Sequence, residues 1–138
     1  MKFVWDDIYS VQIEVIDEQH KMFFDFINKI YDLVENNTVT KESLLSVIVE
    51  LYGYAFYHLT TEETYFEKFN YDNKEQHVQA HNLYRQKMQE AVEKVSRTDV
   101  NLNDLAEEVA DFAKKWLSGH ILHEDKKFVA CFHEHGLE

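Results

Sequence analysis

Two short runs of this sequence have the spacing of metal chelates. His77-Val78-Gln79-Ala80-His81 sets two imidazoles one helical turn apart, on one face, where both can reach a single ion. His58-Leu59-Thr60-Thr61-Glu62 does the same for an imidazole and a carboxylate. Of the 8 histidines in the chain, five (His20, His58, His77, His81 and His120) fall on apolar stripes of helical period. Burying them without a common partner costs roughly 1–3 kcal/mol for each unsatisfied polar group, and a shared metal removes that cost. Glu62 lies on the inward stripe as well, where an unpaired charge is expensive. Its neighbour Glu63 is expected to point outwards. Beyond His120 the candidates are Glu124, at the straight-helix i+4 position that helical geometry prefers, and Asp125, which requires the chain to turn. His123, His133 and His135 lie in the tail and read as exposed side chains.

Five imidazoles with two carboxylates exceed the four ligands of a tetrahedral zinc site. They suit two octahedral ions bridged by the carboxylates. Ligation without thiolate favours iron or manganese over zinc or copper. Dividing the histidines three and two leaves the two-histidine metal one position short. An open position on a redox metal in an apolar pocket is what O2 binding requires.

Four elements must bring these residues together. Helical periodicity spans approximately 17–36, 41–69, 74–96 and 101–120, with Asp17, Thr40 and Asn101 as expected caps. Short connections between long helices favour antiparallel neighbours, so the expected fold is all-α, an up-down-up-down four-helix bundle. His20, His77 and His81 begin odd helices, whereas His58 and His120 lie late in even ones. All five then meet at one end of the bundle. Met1 to Ile16 is expected to form an extended arm packed on the bundle, and the tail after His120 to continue as helix or as irregular chain.

Composition agrees with one helical domain over residues 1–138. The chain is 45% hydrophobic and 14% aromatic, with no Pro and 3 Gly. A net charge of −12, from 26 acidic and 14 basic residues, argues against nucleic acid or an anionic membrane as partner. The single cysteine, Cys131, excludes an internal disulfide framework and is compatible with a reducing cytosol. The early acids Asp6 and Asp7 do not suit a signal peptide, so a cytoplasmic location is expected.

The ordered set of motifs resembles the hemerythrin family in its bacterial, bacteriohemerythrin-like form. It comprises Trp5, Ile16-Asp17-Glu18-Gln19-His20-Lys21 with Phe24 and Asn28, His58 to Glu62, His77 to His81, and Trp116-Leu117-Ser118-Gly119-His120-Ile121 with Asp125. The resemblance covers nearly the whole chain. It implies two iron ions, oxo- or hydroxo-bridged, with His77, His81 and His120 on one and His20 and His58 on the other. Glu62 and Asp125 would bridge them, which favours Asp125 over Glu124 and implies that Gly119 and the residues after His120 depart from ideal helix. It further implies reversible O2 binding rather than enzymatic turnover, with weak oxidase or peroxidase side activity left open. Trp116, Leu117 and Phe24 would line the O2 pocket. A ferritin-like oxidase would need paired Glu-x-x-His motifs, which do not occur here. The same cluster could serve a module sensing O2, redox state or nitric oxide, or an iron store. With no effector domain in view, the chain reads as a carrier unless it is a piece of a longer protein. Its expected partners are O2 and an oxygen-consuming or signalling protein, and it is expected to be a monomer or weak oligomer.

Overall fold

The computed structural model describes residues 2–138; Met1 of the expected arm lies outside them. Four long helices, α1 (Glu14–Glu35), α2 (Lys41–Lys68), α3 (Lys74–Val95) and α4 (Leu102–His123), form an all-α bundle, followed by the short α5 (Val129–Glu134). Each long helix packs on two neighbours, α1 against α2 and α4, and α3 against α2 and α4. The buried face of α2 repeats at helical period through Leu44, Ile48, Leu51, Ala55, His58, Glu62 and Phe66. The apolar core along the bundle thus turns polar within one turn of Ala55.

Local chemistry ends the helices where the bundle needs turns. Thr40 and Ser43 form a reciprocal capping box at the start of α2. Asn101 Oδ1 accepts the Asp104 amide at 3.0 Å at the start of α4. With so little glycine, asparagine takes the left-handed residue after α1 and α2: Asn37 has φ 54° and Asn70 φ 49°. Thr38 and Tyr71 then donate back to the carbonyls of Leu33 and Phe66, both at 2.9 Å, closing the carbonyl ends of both helices.

Three expectations need correction. Asp17 does not cap α1, which starts at Glu14; its carboxylate instead accepts from Ser10 Oγ at 2.6 Å and the Val11 amide at 2.8 Å. The arm is not wholly extended, since Asp6 caps a 3-10 turn at Asp7–Tyr9. Gly119 lies within regular helix, and α4 runs on to His123 before a 3-10 turn at Asp125–Phe128. The break falls at Glu124 because the following residues fold back over the bundle's end. Phe128 stacks on Phe132 at 4.3 Å, and both pack on Phe66.

The arm is clamped to α1. Asn28 accepts the Phe3 amide at 2.7 Å and donates to the Phe3 carbonyl at 2.8 Å, while the Phe3 ring stacks on Phe24 at 3.5 Å between centroids. Asn28→Ala should lower unfolding stability by about 1–3 kcal/mol, because the paired Phe3 groups lose their partner. Chemical denaturation checks this, and an unchanged midpoint would mean that the arm does not depend on the clamp.

Candidate metal centre

At one end of the bundle five imidazoles and two carboxylates meet in the core: His20, His58, Glu62, His77, His81, His120 and Asp125 are each at most 6% exposed. They come from all four long helices and the turn after α4. Glu62 is the hinge of the geometry. Its Oε2 lies 3.0 Å from His58 Nε2 and 3.5 Å from His20 Nε2. Its Oε1 lies 3.2 Å from His81 Nε2 and 3.3 Å from His77 Nε2. Asp125 divides itself the same way, with Oδ2 3.1 Å from His20 Nε2 and Oδ1 3.0 and 3.1 Å from those of His77 and His120. Each carboxylate therefore offers one oxygen to each of two histidine groups.

With neutral imidazoles these atoms leave much of their bonding capacity unmet. Among the described residues, ten buried side-chain nitrogens and oxygens have no hydrogen-bond partner, and eight of them belong to His20, His58, Glu62, His77 and Asp125. In addition, His120 Nε2 faces His77 Nε2 at 2.9 Å and His81 Nε2 at 3.2 Å. Unpaired buried polar atoms are rare in folded proteins because each costs its full desolvation. Six of the eight, Nε2 of His20 and His58 and the four carboxylate oxygens, converge on one spot and point to a common cationic partner. Two sets of ligand atoms are compact enough for an ion: Glu62, His77, His81, His120 and Asp125, and His20, His58 and Glu62. The residues fit a metal, and a donor set without sulfur fits iron.

The electrostatics agree. Burial would raise the carboxyl of Glu62, but His58, His20 and His77 hold it well below the usual range. Burial and the charge of Glu62 would raise Asp125, yet His120 and His20 hold it well below as well. Burial works against protonation of His20 and His77, but Asp125 and Glu62 outweigh it and lift both to about 9. His58 goes the other way, lowered because burial dominates. In the metal-free chain, protons on His20 and His77 thus stand where cations would.

Other side chains orient the imidazoles and close the site. His58 Nδ1 donates to Gln19 Oε1 at 2.8 Å, and His81 Nδ1 donates to Glu63 Oε2 at 2.7 Å. Glu63 therefore does not point outwards as expected. It lies half-buried between α2 and α3, its pKa lowered because His81 and Arg85 outweigh its burial. Helical period alone hides this, since Glu63 is adjacent to Glu62 and only the packing of α3 turns it inward. The Trp116 ring stacks on His120 at 4.3 Å and 12°, and Leu117 is fully buried one turn before it. Phe66 covers His77 at 4.6 Å. Phe24 faces away, its ring packed on Phe3, Trp5 and Tyr9, whereas Phe23 sets its edge against His58 at 6.0 Å. Glu124 stays outside the cluster and pairs with Lys127 at 3.4 Å. In the tail, His123 is exposed, His135 stacks on Phe69 at 4.5 Å, and His133 is half-buried, donating to the Gln12 carbonyl at 2.9 Å.

Comparison with known proteins points the same way. The family described as the Hemerythrin HHE cation binding domain matches residues 11–132. The bacteriohemerythrin of Clostridium acetobutylicum is 29% identical over 129 residues, 92% of this chain and 98% of that protein. That of Pseudomonas aeruginosa is 30% identical over 129 residues, 91% of this chain and 78% of its own. A hemerythrin-like protein of Naegleria gruberi is 27% identical over 91% of this chain and 90% of its own. A crystal structure of a hemerythrin mutant superposes with a TM-score of 0.84 over 95% of this chain and 98% of that one, at 23% identity, which speaks for the fold.

The pKa directions make a test. His20 and His77 are raised from 6.5 to about 9, so in the metal-free protein their contribution to stability is complete below pH 6.5 and lost as pH rises through 9. The denaturation midpoint of metal-free protein should fall between pH 6 and pH 9.5, and metal should abolish the fall by replacing the protons. Equal midpoints in metal-free protein would mean these imidazoles are neutral.

Proposed function

Because this chain belongs to the hemerythrin family, we propose that it holds two iron ions, oxo- or hydroxo-bridged, and binds O2 reversibly between them and the surrounding apolar side chains. The observation that carries this reading is the division of Glu62 and Asp125, one oxygen to each histidine group. His77, His81 and His120 would hold one ion, His20 and His58 the other, with Glu62 and Asp125 between them. The iron pair would supply the electrons and the open coordination position that O2 requires.

The protein's own part is to orient, to leave space and to exclude water. Gln19 and Glu63 fix the Nδ1 protons of His58 and His81, so that Nε2 of each presents its lone pair inward. The His20–His58 position would receive one imidazole fewer than its partner and would so have room for O2. Phe23, Leu117 and Trp116 surround the cluster with apolar surface, which slows water entry and the loss of electrons that accompanies it.

Carriage or storage of O2 and its sensing would use the same residues, and an optical experiment separates them. Protein loaded anaerobically with Fe(II) should develop a visible charge-transfer band when O2 is admitted and lose it under vacuum, at two irons per chain. Direct conversion to a stable oxidised form would favour a redox sensor or an oxidase, and one iron or none would end the two-metal reading. His77→Ala should reduce iron content markedly, whereas His123→Ala, at an exposed position, should leave it unchanged. Equal iron in both variants would refute the ligand assignment. Trp116→Ala should hasten autoxidation at unchanged iron stoichiometry, and an unaltered rate would remove Trp116 from the pocket wall.

A further inference from the structure

The five histidines are not backed alike. His81 Nδ1 donates to a carboxylate, Glu63, at 2.7 Å. His58 Nδ1 donates to a neutral amide, Gln19, at 2.8 Å, and Gln19 in turn reaches Thr61 Oγ1 at 3.5 Å. His20 and His77 have no hydrogen-bond partner at Nδ1. Among the described residues, the anionic acceptor Glu63 therefore serves the three-histidine group, and the amide of Gln19 serves the two-histidine group.

Glu63 is held in this role from the far side. Arg85, one turn beyond His81 on α3, grips it with both terminal nitrogens, Nη1 to Oε2 at 2.8 Å and Nη2 to Oε1 at 3.0 Å. Asn82 accepts from Nη1 at 3.0 Å, and the guanidinium lies 5.7 Å from the Phe56 ring centre. Glu63 and Arg85 are only 22% and 19% exposed, so solvent screens the pair incompletely. A charged acceptor at the outer nitrogen makes an imidazole a stronger donor at its inner one, more so than an amide does. A guanidinium on the same carboxylate withdraws part of that charge. The two residues thus act on one histidine with opposite sign.

Resting on the two-metal reading above, we propose that Glu63, clamped by Arg85, is a positioning residue that sets the two metal positions apart. It makes the His77–His81–His120 position the stronger-donating and more easily oxidised one, and Arg85 limits the difference. Periodicity could not have revealed this role, because it needs Glu63 of α2 and the His81–Arg85 turn of α3 to face one another.

The test uses the full chain, with Glu63→Gln, which keeps the shape and the acceptor but removes the charge, and Arg85→Met, which removes the opposing charge. Glu67→Gln is the control, the same charge change one turn along α2 on a side chain 75% exposed. Cobalt(II) affinity by chelator competition and the reduction potential of the iron-loaded protein are measured for each. Glu63→Gln should bind cobalt about 10–100-fold more weakly and raise the potential. Arg85→Met should lower the potential, and Glu67→Gln should move neither quantity. Shifts of the same sign in the Glu63 and Arg85 variants would reduce the pair to a structural strut and overturn the proposal. So would a Glu67 effect as large as that of Glu63. If the unaltered chain binds other than two metals, the two-metal reading itself fails, and it does so before any variant is compared.

Discussion

Seven polar side chains at one end of an apolar bundle need a counter-charge that the polypeptide's own side chains do not supply. Two carboxylates and five imidazoles are at most 6% exposed, and most of their inward atoms bond to nothing. Desolvation makes such a cluster costly, by kilocalories for each unsatisfied atom, and two anions side by side add repulsion. Cations bound among these side chains would answer these demands. Without them, His20 and His77 take up protons and neutralise the carboxylates in part, which is a weaker solution to the same constraint. Metal binding and fold stability are in this sense one property of the chain.

The bundle's architecture follows from bringing ligands of one height together. Every long helix contributes, so the antiparallel arrangement decides which ends of the helices carry histidine. Asn37 and Asn70 close α1 and α2 in the left-handed conformation, letting short turns keep neighbouring helices in register. The chain beyond α4 is recruited as well. Phe128 and Phe132 fold over Phe66, and the break that permits this swings Asp125 into the cluster while leaving Glu124 outside.

The surroundings of the two histidine groups are unequal. One group has three imidazoles, one of them backed by the charged Glu63–Arg85 pair. The other has two, one backed by an amide, with Phe23 beside it. On the proposed reading, ligand number would leave room on the second side, and ligand basicity would gather electron density on the first. The contacts that back His58 and His81 also join α1 to α2 and α2 to α3, so the orientation of these imidazoles and the packing of the helices share the same side chains.

Much of this was legible in the sequence. Helical period with histidines on the apolar stripes was enough for an all-α bundle, for the convergence of His20, His58, His77, His81 and His120, and for the inward placement of Glu62, because a 3.6-residue repeat says which residues share a face. Resemblance of the ordered motifs, not period, favoured Asp125 over Glu124. What the repeat cannot express is contact between faces. The turn at Glu124 depends on aromatic packing by residues up to Phe132, and the inward aim of Glu63 depends on Arg85 of another helix. The sequence does not say that the arm's Phe3 stacks on Phe24 or that Phe23 sits beside His58. Asp17 looked like a helix cap and became the anchor of the arm. Local spacing determines which side chains can point the same way; only the tertiary structure decides what they meet there, since partners distant in the chain are brought near by packing alone.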